Sequence, residues 1–210
     1  SKRDQFNNDN TVFEEYLAAA EAGDVNAQSK VAFMYAKGIN TNKDEETSIK
    51  WYRTAADNNH VDAQYNLALM YAKGRGVKQD YHEALRWYKV AAEEEDVCSQ
   101  YALAMMYNKG IGTDKDLGLA YHWFRKAAEQ GNTNSEYKVA EMLHKGTGVD
   151  EDLNAAHEWY QKASAKGHTL AQMKLAYMYG KGQGVKRNDT EAFHWFRKAA
   201  EQGHPKAQYN

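Results

Sequence analysis

The chain has 210 residues but one proline and one cysteine. The lone Cys98 excludes an intramolecular disulfide and any multi-cysteine zinc site, and a chain of this length has no need of either staple. It fits a reducing or an oxidising compartment equally. Charge of one sign is also scarce: 27 basic against 29 acidic residues leave a net charge of −2, so no general attraction to nucleic acid or anionic membrane is expected. No run of about 18 apolar residues occurs, and the start, Ser1-Lys2-Arg3-Asp4-Gln5, has no apolar signal segment, so no direct membrane insertion is expected. That polar start fits a processed end as well as an internal boundary, and it leaves the compartment open. With proline nearly absent and no long stretch of alternating polarity, strands have little support and helices remain.

What is abundant is repetition. Trp51, Trp87, Trp123, Trp159 and Trp195 are separated by a constant 36 residues. The same step joins Gly38, Gly74, Gly110, Gly146 and Gly182. It joins Met34, Met70, Met106, Met142 and Met178, and also Lys37, Lys73, Lys109, Lys145 and Lys181. No insertion disturbs the register, which predicts a single repeat domain over 1–210.

Within a unit, Leu67, Ala68, Met70 and Tyr71 have helical spacing over 63–73, and Gly74-Arg75-Gly76 ends that helix, helix A. Helix B is predicted over 81–93, where Ala84, Leu85, Trp87, Tyr88, Ala91 and Ala92 make a broad apolar face. Its N-cap column reads Asp44, Asp80, Asp116, Asp152 and Asn188, and Asp80 with Glu83 has capping-box spacing. Helix A starts near Asp24, His60, Asp96, Asn132, His168 and His204, with Pro205 at a first helical position. Alanine columns on both helices let them approach closely, and the tryptophan column, with the aromatic that follows each, fills the interfaces.

The unit Ala63-Gln64-Tyr65, Leu67-Ala68, Met70-Tyr71, Gly74-Arg75-Gly76-Val77, Ala84, Trp87-Tyr88, Ala91-Ala92 resembles the Sel1-like repeat, a relative of the tetratricopeptide repeat. The resemblance covers residues 9–210 and implies an all-α fold: an α-solenoid, a right-handed superhelix of five 36-residue helical hairpins. Repeats are placed at 27–62, 63–98, 99–134, 135–170 and 171–206. A leading helix at 9–22 precedes them, with Glu15 in the tryptophan column, and 207–210 open a further repeat, as in a longer repeat protein. The first loop, Gly38-Ile39-Asn40-Thr41, lacks the second glycine and is expected to be looser. The family implies an adaptor, with a lean to bacterial envelope, periplasmic or secreted settings.

Residues free to differ between units point to where a partner sits. On helix A one face reads Asn26-Lys30-Phe33-Lys37, then Asp62-Asn66-Leu69-Lys73, Cys98-Ala102-Met105-Lys109, Asn134-Lys138-Glu141-Lys145 and Leu170-Lys174-Tyr177-Lys181. Phe33, Leu69, Met105 and Tyr177, interrupted by Glu141, form an apolar stripe in a concave groove. With Lys37, Lys73, Lys109, Lys145 and Lys181 it suits a protein or peptide that is apolar with acidic flanks. The competing readings are that the stripe packs between units and that the lysines serve the helix macrodipole. The chain is expected to be monomeric.

Chemistry has thinner support. Ser135-Glu136-Tyr137-Lys138 has the S-x-x-K spacing of penicillin-binding enzymes, but Ser135 falls in a small-residue column and no companion motif occurs, so no catalytic residue is assigned. A peptidoglycan-like or β-lactam ligand and a purely structural spacer are the alternative functions. The eight histidines share no metal-ligand spacing, and neither metal nor cofactor is expected. Cys98, beside Glu95 and Asp96, is expected to be an inert thiol. Asn188-Asp189-Thr190 fits a glycosylation sequon, but the cap role of Asn188 is preferred.

Overall fold

The computed structural model describes residues 2–202, with side chains from residue 11 onward, and contains only helices among them. They are α1 (Lys2–Glu21), α2 (Val25–Lys37), α3 (Glu45–Asp57), α4 (Val61–Lys73), α5 (Tyr81–Glu93), α6 (Val97–Lys109), α7 (Leu117–Glu129), α8 (Thr133–Lys145), α9 (Leu153–Ala165), α10 (Thr169–Lys181) and α11 (Asp189–Glu201). The even-numbered helices are helix A of each hairpin and the odd ones from α3 onward are helix B. Helix A of the second hairpin begins at Val61, two positions before its apolar face does. Helix α1 starts at Lys2, ahead of residue 9, because no glycine or proline stops it earlier. The expected start at His204, with Pro205 and 207–210, lies outside the described residues.

Packing groups the chain into two units that divide within α6. One runs to Leu103 and includes Ile111–Thr113, and the other holds Ala104–Gly110 with residues from Asp114 onward. In the first, α1 packs on α2, α2 on α3, α3 on α4 and α4 on α5; in the second, α7 through α11 pack the same way. The alanine columns make this possible. Ala32, Ala68, Ala104, Ala140 and Ala176 on helix A, and Ala55, Ala91, Ala127, Ala163 and Ala199 on helix B, have no accessible surface. A larger side chain at any of them would push two helices apart.

Short-range chemistry fixes the ends. Every N-cap oxygen expected on helix B accepts an N–H of the first turn: Asp44 from Thr47, Asp80 from His82 and Glu83, Asp116 from Leu119, Asp152 from Ala155, and Asn188 from Thr190 and Glu191. The capping box at Asp80 does not close. Its own N–H is donated to the Tyr71 carbonyl at 3.0 Å, and Glu83 turns instead to Arg86 at 3.1 Å. On helix A, His60 and His168 cap through Nδ1, each accepting from an alanine N–H at 3.2 Å.

The loop from A to B is set by two glycines with different duties. The first ends the helix in the left-handed region, and its N–H is donated to the methionine carbonyl four residues earlier, as Gly74 does to Met70. The second also has positive φ, and it touches the preceding helix B. A Cβ built on Gly148 would lie 2.2 Å from the Leu117 carbonyl oxygen, and one on Gly112 would lie 2.5 Å from that of Tyr81. In the first loop Asn40 takes the same left-handed torsion, with φ +57, so the backbone of the turn is kept without glycine. Asparagine tolerates the left-handed region better than most residues.

A buried polar column was not anticipated. Gln28, Gln64, Gln100 and Gln172 are buried and each donates Nε2 to the carbonyl eight residues earlier at 3.2–3.3 Å. Each amide ties helix A to the end of the helix before it, α1 for Gln28 and helix B for the others. Glu136 stands in this column in α8 and has no N–H to give. Lys166, just after α9, compensates: its Nζ lies 2.7 Å from the Glu136 carboxylate and 2.8 Å from the Gly131 carbonyl.

Candidate functional site

Helix A presents its variable face outward because the buried alanine, methionine and glutamine columns occupy the opposite side. Its starts and ends differ in charge. Lys37, Lys73, Lys109, Lys145 and Lys181 are each the last residue of a helix A and all are exposed. The apolar stripe, interrupted at Glu141, is not uniform in its exposure. Phe33 and Tyr177 are 39% and 43% exposed, whereas Leu69 and Met105 are half-buried. Tyr177 stands edge-on to Phe196 at 5.1 Å, so part of its ring serves packing. The interruption at Glu141 is a closed ionic triad, with Lys145 at 2.8 Å and Lys138 at 3.1 Å. Burial works to raise the Glu141 carboxyl, but hydrogen bonds from Lys145 and Lys138 outweigh it and hold it low.

In the first unit the face opens into a hollow of about 490 Å³. Helix α2 contributes Asn26, Ser29, Lys30 and Phe33, and α4 contributes Asp62, Tyr65 and Asn66. Tyr52 of α3, itself buried, also lines it, as do His60, Asp96 and Cys98. Burial first, then Asp62, pushes the Tyr52 phenol up to about 12. Burial, then Asp96 and Asp62, also raises the Cys98 thiol, which makes it a poor nucleophile near neutrality. The two carboxylates therefore act on the same space. Of the apolar stripe and the terminal lysines assigned from sequence, only Phe33 lines this hollow, beside Asn26, Lys30, Asp62, Asn66 and Cys98 of the same predicted face. A second hollow of about 220 Å³ in the other unit is lined by Lys138, Glu141 and Lys145 among others, and it takes in Lys145.

Ser29, Tyr52, His60, Tyr65 and Asp96 were missed as lining residues. The missed signal was a column: Ser29, Tyr65, Tyr101, Tyr137 and Met173 vary between units beside the residues that were singled out. Reading one row of the helix surface hid its neighbour.

The S-x-x-K spacing does not bring its serine to the surface. Ser135 has no exposed surface, and Lys138 is committed to Glu141. No group of three His, Cys, Asp or Glu side chains suited to a metal occurs among the described residues. No helix there is long and apolar enough to cross a membrane.

Stacked hairpins with a fixed 36-residue step, buried alanine columns and a variable outer face define a helical-repeat protein. The Sel1 repeat model matches residues 25–60, 61–96, 99–132, 133–168 and 169–204, and the chain belongs to the Sel1 repeat family. It is similar to a protective antigen of uropathogenic Escherichia coli strains displaying an SLR fold, with 38% identity and a TM-score of 0.89 over 93% of this chain. The match spans 42% of that protein's chain. It is also similar to a Sel1 repeat protein from Oxalobacter formigenes, with 33% identity and a TM-score of 0.77 over 88% of this chain and 73% of the other. An immunity protein of Pseudomonas aeruginosa shares the fold at 22% identity and a TM-score of 0.50, over 89% of this chain and 68% of its own. A comparison with curated proteins finds no match. Sel1 repeats generally serve as protein-interaction scaffolds.

Proposed function

We propose that the chain is a non-catalytic adaptor that holds a partner protein or peptide on the exposed face of its A helices. The observation that carries this reading is the 490 Å³ hollow on α2 and α4, where Phe33 offers apolar surface beside polar side chains. Phe33, Leu69, Met105 and Tyr177 supply apolar contact within their own units, and the terminal lysines Lys37, Lys73, Lys109, Lys145 and Lys181 receive acidic residues. Exposed aromatic and half-buried aliphatic side chains are suitable anchors because their loss of water on binding outweighs little prior packing. The E. coli relative's description as a protective antigen supports a partner met outside the cytoplasm.

The test compares retention of partners by the wild-type chain and by Phe33→Ser and Leu69→Glu/Met105→Glu variants of matched helicity. Partners held by the wild type and lost by both variants support the reading. Equal retention by all three places binding on helix B or the loops and ends this assignment.

A further inference from the structure

We propose that the outer face of α10 docks an acidic amphipathic helix of a partner protein, seated on Leu170 and Tyr177 and paired with Lys174 and Lys181; this rests on the adaptor reading and names the form and charge of the partner. These four residues follow one another at steps of four, three and four, which keeps them on one side of the helix. The other side, with Ala171, Leu175 and Met178, is buried. Leu170 is 46% exposed, and Tyr177 is exposed as well. In the other hairpins Asn26, Asp62, Cys98 and Asn134 hold the register of Leu170 and are exposed too, so the openness belongs to the face, and α10 sets a large apolar side chain on it. Among the described residues no ion pair ends on Lys174 or Lys181, although Lys174 is half-buried. Its charge reaches α8, where, after burial, it lowers the proton affinity of His144. Helix α8 has Asn134, Lys138, Glu141 and Lys145 at the same four positions, but there Glu141 holds both lysines, at 3.1 and 2.8 Å. The uncompensated charge of the two faces therefore stands on α10. A half-buried cation without a counter-charge, between exposed apolar side chains, is complementary to carboxylates set along an apolar surface.

The spacing selects a helix over an extended peptide. Leu170 and Tyr177 stand seven residues apart, as do Lys174 and Lys181, and seven residues of helix rise about 10.5 Å. An extended strand covers that distance in about three residues. Three is an odd step, so the side chains arriving at Leu170 and Tyr177 would leave the strand from opposite faces. A helix lying along α10 at a shallow crossing angle returns to the same face every seven residues with the same rise, and it meets both anchors at once. The partner helix therefore carries apolar residues seven apart, with aspartate or glutamate three or four residues from each of them.

The test is selection, on the purified chain, of a phage library that presents a helical scaffold with one face randomised, beside an unstructured linear library of the same size. The enriched sequences are synthesised, and their affinity is measured by fluorescence anisotropy on the wild type and on variants whose thermal midpoints match it. Enriched helices should show the acidic and apolar spacing given above and bind Lys174→Gln/Lys181→Gln about fivefold more weakly. They should also lose affinity on Leu170→Ser, while Lys138→Gln, whose lysine is already held by Glu141, should change it less than about twofold. Enriched helices without acidic residues, enrichment from the linear library alone, or equal affinity for the wild type and Lys174→Gln/Lys181→Gln overturn this inference. If such binders still lose affinity on Phe33→Ser or Leu69→Glu/Met105→Glu, the adaptor reading stands; if those variants bind them as the wild type does, it falls as well. Libraries that yield no binder overturn the inference and leave the adaptor reading to be decided by partner retention alone.

Discussion

A single atom decides several of the residue-level properties. The second glycine of the A-to-B loop is needed less for its torsion than for what stands against it. Gly148→Ala should cost ~3 kcal/mol or more in denaturant unfolding, because the added Cβ meets the Leu117 carbonyl as well as an unfavourable φ. Asn40→Gly should be close to neutral. Glu95 has φ +64 where Gly131 and Gly167 stand in other hairpins, and Glu95→Gly should raise stability by ~0.5–1 kcal/mol. The Glu136 and Lys166 pair gives a coupled prediction. Lys166→Ala should cost ~1–3 kcal/mol by leaving a buried carboxylate unpaired, and adding Glu136→Gln should recover most of it, since glutamine donates at the equivalent positions. The glycine columns were plain in the sequence, but this pair was not. Each of its members is a departure from its own column, and only the fold places residues 30 apart within ion-pairing distance.

Element boundaries were the most legible level, because the caps are local. An aspartate or asparagine before an apolar period needs no tertiary information to be read, and all five predicted caps of helix B accept as expected. The failed capping box shows the limit: the Asp80 N–H is taken by Tyr71, in a helix the local spacing does not see. Histidine caps add a pH dependence. His168 accepts at Nδ1 only when neutral, and burial, with Lys138 nearby, lowers its proton affinity; His144 and His157 are lowered mainly by burial. A folded-state value below the ordinary one of about 6.5 means that the unfolded chain binds more protons as pH falls. Stability is thus full above that value and declines as pH drops through the lowered ones. Thermal unfolding followed between about pH 7.5 and pH 5 should show a falling midpoint, and His168→Asn, which keeps an acceptor without the titration, should flatten part of the fall.

At the scale of the whole molecule, the family was readable because its defining columns are structural and recur at one interval. The site was less so. Positions that bind are those released from stacking, and a release leaves only irregularity in the sequence, which does not say which irregular residues share a space. Phe33 and Cys98 were both singled out, yet Tyr52, on the other helix of the hairpin, was not. If the lysine ends also guide an acidic part of the partner, affinity should fall steadily as salt rises from about 50 to about 500 mM, and a salt-independent affinity would remove them from the site. The contact between each second glycine and the carbonyl 31 residues before it has a further consequence. It acts as a gauge that accepts a neighbouring hairpin only at one separation along the chain. Duplicating or deleting any stretch of 36 residues, wherever the cut falls, restores every such contact, whereas a change of 35 or 37 breaks one. The length of an array built this way is therefore free to change only in whole steps, and a lineage can lengthen or shorten it by unequal exchange without reinventing a single joint.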